Sequence, residues 1–566
     1  MTSKMKKQVP LGYHDFEDII NRNLFYVDKS LLIKEILEVD KQVYLFPRPR
    51  RFGKTLNMMM LRRFFEKTEV SKAHLFEGLN IFKEEKYKDL QGTFPVIWLS
   101  FKDIKSREWQ TAYEKIQDLV STEYGRHAYL FKSEKLSDED KIYFKKIYAK
   151  HASRGDLELS VIKLSYFLEI HHQKKSYLLI DEYDTPINES CIHGYYDDAI
   201  DFLRNMYSFA LKDNPSLERA VVTGIYRVAK ESIFSGLNNL IVSTMLDTNF
   251  ADKFGFTETE VEQMIAYYGL EYKLDEIKNW YDGYVFGGHT IIYNPWSILY
   301  YIYNPKHELK PYWANTSSND IIKELIVNSK PDVKQDIETL IQGGTIEKRL
   351  YEDVVYGNLN QSVDAIWNFF LFSGYLKVIE QKMEGSKLTG VFAIPNIEIQ
   401  SIFKDAVLFW FVQSETIDKL DKILSNLKKN NLKDFSKYFA DFIRQTCSYY
   451  DFADKDPERV YHALVLGMMV NMQSDYRITS NRESGYGRYD IVLHPLKENL
   501  PAYIFEFKKF DQDDESVIEE TLSSAMQQIK AKEYTTTLQH EGFTNIHLIA
   551  IAFKGKDVKI LYEEVG

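Results

Sequence analysis

Hydrophobic and polar positions follow two different periods along this chain, and each change of period marks an expected strand or helix. Runs of mainly apolar residues, which predict strands buried on both faces, occupy 42–46, 94–101, 177–180 and 220–223. Helical spacing over 56–65 and 107–124 predicts helices between these strands. Strands that alternate with helices in this way are typical of an α/β domain with a mainly parallel sheet.

The pattern turns helical from residue 254, where Thr257 and Glu260 form a capping box that predicts a helix start. Near 365–379 a helix leads into a strand, and a turn, a second strand and another helix follow. Helix, hairpin and helix in this order resemble a winged-helix layout. Because no run of basic residues marks a recognition helix, a wing that only packs against the rest of the protein is at least as well supported as DNA binding.

The polar, Asn- and Lys-rich stretch 419–435 predicts a linker. Beyond it, the predicted elements are a helix at 456–472, strands at 476–480, 488–494 and 502–509, a helix at 516–532 and a strand at 546–553. These elements predict a second, small α/β sandwich at the C-terminal end of the sequence.

A Gly-Lys-Thr sequence lies between the first predicted strand and its helix, which is the setting that a phosphate-binding loop requires. Arg51 and Gly53 belong to this loop, whose backbone N–H groups would hold phosphate oxygens of a nucleotide such as ATP. Lys54 would reach the outer phosphates, and the Thr55 hydroxyl would bind Mg²⁺. Arg48 stands where the consensus has its first glycine. The alternative is a basic surface turn before a helix.

The apolar run 177–180 ends on two acids, as the second half of such a site should. Asp181 would hold the Mg²⁺ shell, and Glu182 would orient or deprotonate the attacking water. Arg227 follows the next predicted strand, where it would stabilise phosphate charge; a salt-bridged helix residue is an equal alternative. Buried strands often end in acids, so the prediction depends on the loop upstream.

Composition limits the classes of protein to consider. At 566 residues the chain is too long for one core, and about three domains are expected. Two cysteines cannot make a disulfide framework, which favours the cytoplasm. No apolar run approaches the ~20 residues of a membrane helix and no secretory signal is visible, so no membrane association is expected. A net charge of −11 argues against passive coating of nucleic acid but not against a local basic groove.

A second group of charged residues lies on the two strands of the C-terminal hairpin. Asp490 lies on one strand, and Glu506 and Lys508 project from one face of the other. The two carboxylates would hold Mg²⁺, and Lys508 would orient water or stabilise phosphate. Glu458, on the preceding helix, would supply a further carboxylate. The alternative is a surface hairpin with a cross-strand ion pair. Gln528 lies on the following helix, where a surface position is favoured over contact with phosphate.

The sequence resembles bacterial AAA-ATPase-like proteins that carry a PD-(D/E)XK nuclease-superfamily domain at the C-terminus. The strings that carry the resemblance are YVDKS (26–30), RPRRFGKT (48–55), LLIDEYD (178–184), AKESIFSGLNNL (229–240), YWANTSSND (312–320) and SNRESGYGRYD with EFK (480–490, 506–508). The resemblance implies a P-loop AAA-ATPase-like domain at 1–252, a helical lid and winged-helix-like region at 253–434, and a PD-(D/E)XK nuclease-like domain at 435–566. It assigns the same roles to Lys54, Thr55, Asp181 and Glu182, and it matches Asp490, Glu506, Lys508 and Glu458 to the nuclease motif.

Two functions of different class follow from these residues. The first is an ATP-binding, ATP-hydrolysing enzyme with a Mg²⁺-dependent nuclease that acts on nucleic acid, with DNA as the expected substrate. The second is a nucleotide-switched regulator that binds nucleic acid or protein without cutting it. The acids and Lys508 favour the enzyme, because a domain used only for binding has no need of metal ligands. The sequence is compatible with a homo-oligomer.

Overall fold

The structure is a computed structural model in which the chain folds into two compact units. One unit is drawn from Met1–Asn315 and Glu347–Glu398, and the other from Thr316–Ile346 and Ile399–Gly566. The residues that the structure describes are 6–39, 41–226, 239–313, 325–326, 331–351, 363–385, 387–411, 417–446, 465, 468–469, 472, 475–480, 483–484, 487–488, 490–510, 514–531, 535–554 and 556–565.

The strands, numbered in chain order, are β1 Val43–Pro47, β2 Val96–Ser100, β3 Ser176–Asp181, β4 Leu217–Gly224, β5 Leu240–Val242, β6 Phe256–Thr257, β7 Tyr284–Phe286, β8 Thr290–Tyr293, β9 Ile346–Arg349, β10 Lys377–Glu384, β11 Lys387–Ala393, β12 Tyr476–Ser480, β13 Glu483–Ser484, β14 Gly487–Arg488, β15 Ile491–Pro495, β16 Ala502–Lys509, β17 Ile546–Lys554 and β18 Asp557–Val565. They form separate sheets in the two units, and each unit has one five-stranded sheet.

The α-helices are α1 Phe16–Asn21, α2 Leu31–Glu38, α3 Lys54–Phe65, α4 Glu85–Lys88, α5 Trp109–Arg126, α6 Asp138–Tyr148, α7 Arg154–Glu158, α8 Ser160–His172, α9 Thr185–His193, α10 Tyr196–Leu211, α11 Glu258–Tyr268, α12 Leu274–Tyr281, α13 Pro295–Tyr303, α14 Pro331–Ile341, α15 Val363–Phe372, α16 Ile397–Phe411, α17 Ile417–Lys428, α18 Leu432–Thr446, α19 Glu515–Ala531 and α20 Thr536–His540. The predicted capping box is present at α11, where the Thr257 hydroxyl accepts the Glu260 N–H and the Glu260 carboxylate accepts the Thr257 N–H.

The first five-stranded sheet has the order β2-β3-β4-β1-β5, and all its strand pairs are parallel. Alternate residues of β1 enter two different cores. Val43 and Leu45 pack with residues of α5, α6, α8 and α10, whereas Tyr44 and Phe46 pack with residues of α2 and α3. The sheet is therefore covered by helices on both faces, which explains why its strands read as continuous apolar runs. The α/β prediction for this part of the chain is confirmed.

The middle of the chain has the predicted helix, hairpin and helix as α15, β10, β11 and α16. Gly385 makes the hairpin turn with a φ of +63°, which glycine adopts without strain. β9 pairs with β11 on the other side, so the hairpin becomes a three-stranded sheet of order β10-β11-β9.

Glu398, in the first turn of α16, is a buried carboxyl within the first unit. It accepts hydrogen bonds from the Trp313 backbone N–H and the Ser297 hydroxyl, both at 2.7 Å. Burial raises the pKa of Glu398 to about 7, and the two hydrogen bonds act in the opposite direction. Because folding then favours the protonated form, Glu398 stabilises the fold at low pH.

We expect the contribution of Glu398 to stability to fall as the pH rises from about 4.5, its ordinary pKa, to about 7. A shift of this size corresponds to about 3 kcal/mol across the window. Glu398→Gln stays neutral at every pH, so its melting temperature relative to wild type should rise between pH 5 and pH 7.5. Differential scanning calorimetry at several pH values measures this difference, and a constant difference would contradict the assignment.

The sheet of the second unit has the order β12-β15-β16-β17-β18, in which only the β16–β17 pair is parallel. Ile504 of β16 packs with residues of α19 on one face. On the other face, the rings of Phe505 and Phe435 lie 6.4 Å apart between β16 and α18. This mixed sheet between helices confirms the predicted α/β class of the C-terminal domain.

The predicted linker at 419–435 is wrong, because this stretch is α17 and the start of α18. Leu420, Ile423, Leu424 and Leu427 recur at helical spacing and are buried. Lys422 and Lys433 are exposed, so they belong to the outer face of the helices rather than to a flexible chain. Asn430, with a φ of +56°, lies in the turn between them.

Within the described ranges, no helix combines the length and the apolar character that crossing a membrane requires.

Candidate functional site

The Gly-Lys-Thr loop connects β1 to α3 through a left-handed turn. Gly53, at the N-cap of α3, has a φ of +79°, and Arg51 has a φ of +69°. A Cβ on Gly53 would meet no atom within 4 Å, so its backbone conformation, and not space, favours glycine there. The turn brings the first N–H groups of α3 to the carboxyl end of the sheet, where they can bind an anion.

Lys54 lies inside the curve of this loop. Its ammonium donates hydrogen bonds to the carbonyl oxygens of Arg48 and Pro49, both at 2.9 Å. Burial lowers the pKa of Lys54, while the negative charges of Glu182 and Asp181 act in the opposite direction. The loop and the tip of β3 are therefore electrostatically coupled through Lys54.

Asp181, the last residue of β3, is fully buried between two hydroxyl groups. One carboxylate oxygen accepts a hydrogen bond from Thr55 Oγ1 at 2.8 Å, and the other accepts one from Thr223 Oγ1 at 2.6 Å. Thr223 lies next to Asp181 because β4 is located between β1 and β3 in the sheet. Burial raises the pKa of Asp181, and the two hydroxyl groups oppose that shift. Carboxylate and hydroxyl oxygens are donors that Mg²⁺ prefers, so this set fits the ion.

Glu182 takes a left-handed conformation with a φ of +53°, which is uncommon for a residue with a side chain. Its Oε2 accepts a hydrogen bond from the Thr185 hydroxyl at 3.2 Å. The left-handed turn separates the Glu182 side chain from the buried strand, and the carboxylate remains partly exposed. It is therefore accessible to water, unlike Asp181.

Asp184 is a buried acid that the sequence analysis did not single out. Its Oδ2 accepts the backbone N–H groups of Ile225 at 2.8 Å and Tyr226 at 3.1 Å. Burial raises the pKa of Asp184. A Cβ on Gly224 would approach Asp184 Oδ1 to 2.8 Å, so glycine permits the close contact between β4 and this carboxylate. Its position as the third acid of LLIDEYD was the signal in the sequence that could have identified it. Through these hydrogen bonds Asp184 connects the end of β3 to the end of β4.

Arg48, at the position of the first consensus glycine, is buried away from solvent. Its guanidinium donates to the Ser243 carbonyl at 2.5 Å and the Pro47 carbonyl at 2.9 Å. The rings of Phe254 and Phe286 flank it, with centroids 5.2 and 5.4 Å from the guanidinium carbon. Burial lowers the pKa of Arg48 to about 9. These contacts make Arg48 an anchor of the loop.

The second group of predicted residues meets at one end of β16. Asp490 precedes β15 instead of lying within it, which corrects the predicted strand 488–494. Its Oδ2 accepts the Phe507 backbone N–H at 2.7 Å. Glu506 is buried, and its Oε1 lies 3.8 Å from Lys508 Nζ. Asp490 therefore lies against the backbone of β16 between the residues Glu506 and Lys508.

Gln528 of α19 donates a hydrogen bond from Nε2 to Glu506 Oε1. The expectation of a surface glutamine is therefore wrong. Ala525 is buried at position i−3, and Gln528 is itself half-buried, so Gln528 lies at the edge of the helix face that covers the sheet. That spacing was the signal in the sequence.

The roles of these residues as metal ligands stay predictions. Glu458 and Arg227 lie outside the described residues. Across the part of the chain that the structure describes, no group of three or more His, Cys, Asp or Glu side chains is arranged to hold a metal ion. Asp490 and Glu506 offer hard oxygen donors beside an ammonium, a set that fits a divalent cation whose remaining positions are filled by water.

Comparison with known proteins gives a family match for each of the two parts of the chain that contain these residues. Residues 10–234 match the family described as "Predicted AAA-ATPase", and residues 456–563 match the "PD-(D/E)XK nuclease superfamily". An "Uncharacterized protein in vnfD 5'region" of Azotobacter chroococcum mcd 1 is 26% identical over 565 residues, which cover 97% of this chain and 96% of that protein. The chain thus carries a predicted AAA-ATPase-like domain followed by a C-terminal domain of the PD-(D/E)XK nuclease superfamily.

Proposed function

We propose that this protein hydrolyses ATP and cuts nucleic acid, with DNA as its substrate, in a Mg²⁺-dependent manner. The arrangement of Asp181 between Thr55 and Thr223, beside the buried Lys54, is the observation that supports the proposal most strongly. We assign ATP hydrolysis to a domain at 1–252, a helical lid and winged-helix-like region to 253–434, and cleavage to a domain at 435–566.

In the nucleotide site, the loop with Arg51 and Gly53 binds the phosphates through backbone N–H groups. Lys54 balances the charge of the outer phosphates. Thr55 and Asp181 would hold Mg²⁺, which neutralises phosphate charge when it is bound. Glu182, the partly exposed acid that follows Asp181, orients the attacking water and accepts its proton.

In the nuclease site, Asp490 and Glu506 would hold the divalent cation, which makes bound water more acidic and offsets charge on the phosphate. Lys508 stabilises the negative charge that develops as the phosphodiester is attacked. Gln528 fixes the orientation of Glu506 through its amide group. The hydrogen bond from the Phe507 N–H similarly fixes Asp490 at the end of β16.

One set of incubations tests this proposal directly. Purified full-length protein is mixed with plasmid, linear duplex, single-stranded DNA and RNA, each with and without Mg²⁺ and ATP. Cleavage that requires Mg²⁺ and release of phosphate from ATP are the expected results. Nucleotide binding without cleavage of any substrate would instead support a nucleotide-switched regulator with a non-cleaving nuclease-like domain.

A further inference from the structure

Arg51 lies two residues before Gly53, and its side chain stacks on an aromatic ring. Its guanidinium carbon is 4.1 Å from the centroid of the Trp296 ring. The backbone of Arg51 is left-handed, with a φ of +69°. Trp296 thus contacts the phosphate-binding loop, although no sequence motif pointed to it.

The Trp296 ring is held by the first turn of α13. The Asn294 side chain caps this helix and accepts the Trp296 N–H at 2.9 Å, and Pro295 occupies its first position. The Tyr300 ring packs on Trp296 with centroids 4.6 Å apart, one helical turn later. These contacts fix the ring in place before any ligand binds.

The start of α13 is also connected to the loop through the backbone. Gly255 N–H donates to the carbonyl oxygen of Phe52, next to Arg51, at 2.9 Å. The following residue, Phe256, pairs with Tyr293 at the end of β8. Asn294 and α13 follow directly. The distance between Trp296 and the loop is therefore set by a short strand pair and not by a long flexible segment.

Among the described residues, none forms an ion pair or a hydrogen bond with the Arg51 side chain, whose aromatic contact is the face of Trp296. Burial lowers the pKa of Arg51, while the charge of Glu182 acts in the opposite direction. An aromatic face attracts a guanidinium without cancelling its charge, so Arg51 remains available to a phosphate.

We propose that Trp296 is a positioning residue that holds Arg51 at the γ-phosphate end of the loop, beside Glu182. This inference rests on the proposed ATPase function. During hydrolysis, water oxygen bonds to the γ-phosphorus and the bond to the β–γ bridging oxygen breaks. ADP leaves with that electron pair, and a proton of the water passes to Glu182. Arg51 stabilises the charge that builds on the transferred group.

The test compares full-length wild type with Trp296→Ala, Trp296→Phe, Arg51→Ala and the Trp296→Ala/Arg51→Ala double variant. Steady-state phosphate release gives kcat and KM, and calorimetry gives ATP affinity. Trp296→Ala should lower kcat roughly tenfold while ATP affinity changes by less than about twofold. Trp296→Phe should recover part of the loss, because a phenyl face still attracts a cation. Trp280→Phe, on α12, is the matched control and should keep wild-type kcat.

The double variant separates positioning from a structural role. If Trp296 acts through Arg51, Trp296→Ala should cause no further loss of kcat in the Arg51→Ala background. Equal losses in both backgrounds, or a wild-type kcat for Trp296→Ala, would overturn the inference while leaving the ATPase proposal intact. A wild-type protein that releases no phosphate from ATP would overturn both.

Discussion

Lys54→Ala is expected to weaken ATP binding by at least roughly a hundredfold, because it removes the cation that balances the outer phosphates. The ammonium lies within the loop on the carbonyl oxygens of Arg48 and Pro49, where it also holds the turn closed. No other lysine side chain of the described residues shares these two contacts. Titration calorimetry with Mg·ATP measures the loss directly. Equal affinities in Lys54→Ala and wild type would contradict the assignment of the loop.

Glu182→Gln provides the contrasting variant. It keeps the shape of the side chain, and it leaves Asp181 and both of its hydroxyl partners in place. We therefore expect ATP affinity close to wild type with hydrolysis slowed by about 10²-fold or more, since only proton transfer from water is lost. Together the two variants separate binding from chemistry. Loss of ATP affinity in Glu182→Gln would show that this carboxylate acts in binding.

The sequence predicted the strand, turn and helix around Lys54 because their signal is local. β1, the turn and α3 follow one another in the chain, and the hydrophobic period of the strand and of the helix can be read directly from the sequence. The order of the sheet was not predictable in this way. β4 enters between β1 and β3 although it follows both of them in the chain, and it brings Thr223 to Asp181, 42 residues earlier. Pairing of distant parallel strands leaves no periodic trace in the sequence, so Thr223 was missed.

Side-chain direction explains the outcome for Arg48. Alignment with the consensus placed Arg48 in the loop but could not tell which way its guanidinium points. Its direction is set by Ser243, Phe254 and Phe286, which are remote in sequence and meet it only in the folded chain. In this loop a buried arginine with carbonyl and aromatic partners replaces the glycine of the consensus. No rule based on neighbouring residues predicts that replacement.

The stretch 419–435 shows the opposite failure, because the signal was present and composition obscured it. Its polar residues are numerous, yet its leucines recur at helical spacing and are buried. Period is the stronger indicator of secondary structure than average polarity. The same rule would have put Gln528 at the edge of the inner face of α19, next to Glu506.

Asp490→Asn is expected to abolish cleavage and to weaken binding of Mg²⁺ or Mn²⁺. The amide oxygen of asparagine can still accept the Phe507 N–H, so the hydrogen bond that fixes this end of β16 is retained. The variant therefore removes the charge of a ligand with little effect on folding. Alanine would be a poorer choice, because it also removes the acceptor of this hydrogen bond. Cleavage assays and calorimetric metal titration give the two readouts.

Lys508→Ala should give a different result at the same site. Its ammonium lies 3.8 Å from Glu506 Oε1 and is not a metal ligand, so the variant should bind the cation with nearly wild-type affinity. Cleavage should nevertheless fall by about 10²–10³-fold, because stabilisation of the developing phosphate charge is lost. Undiminished cleavage in Asp490→Asn, or loss of metal binding without loss of cleavage in Lys508→Ala, would contradict these roles. Metal binding that survives in Lys508→Ala while cleavage is lost would separate the ligand from the group that stabilises charge.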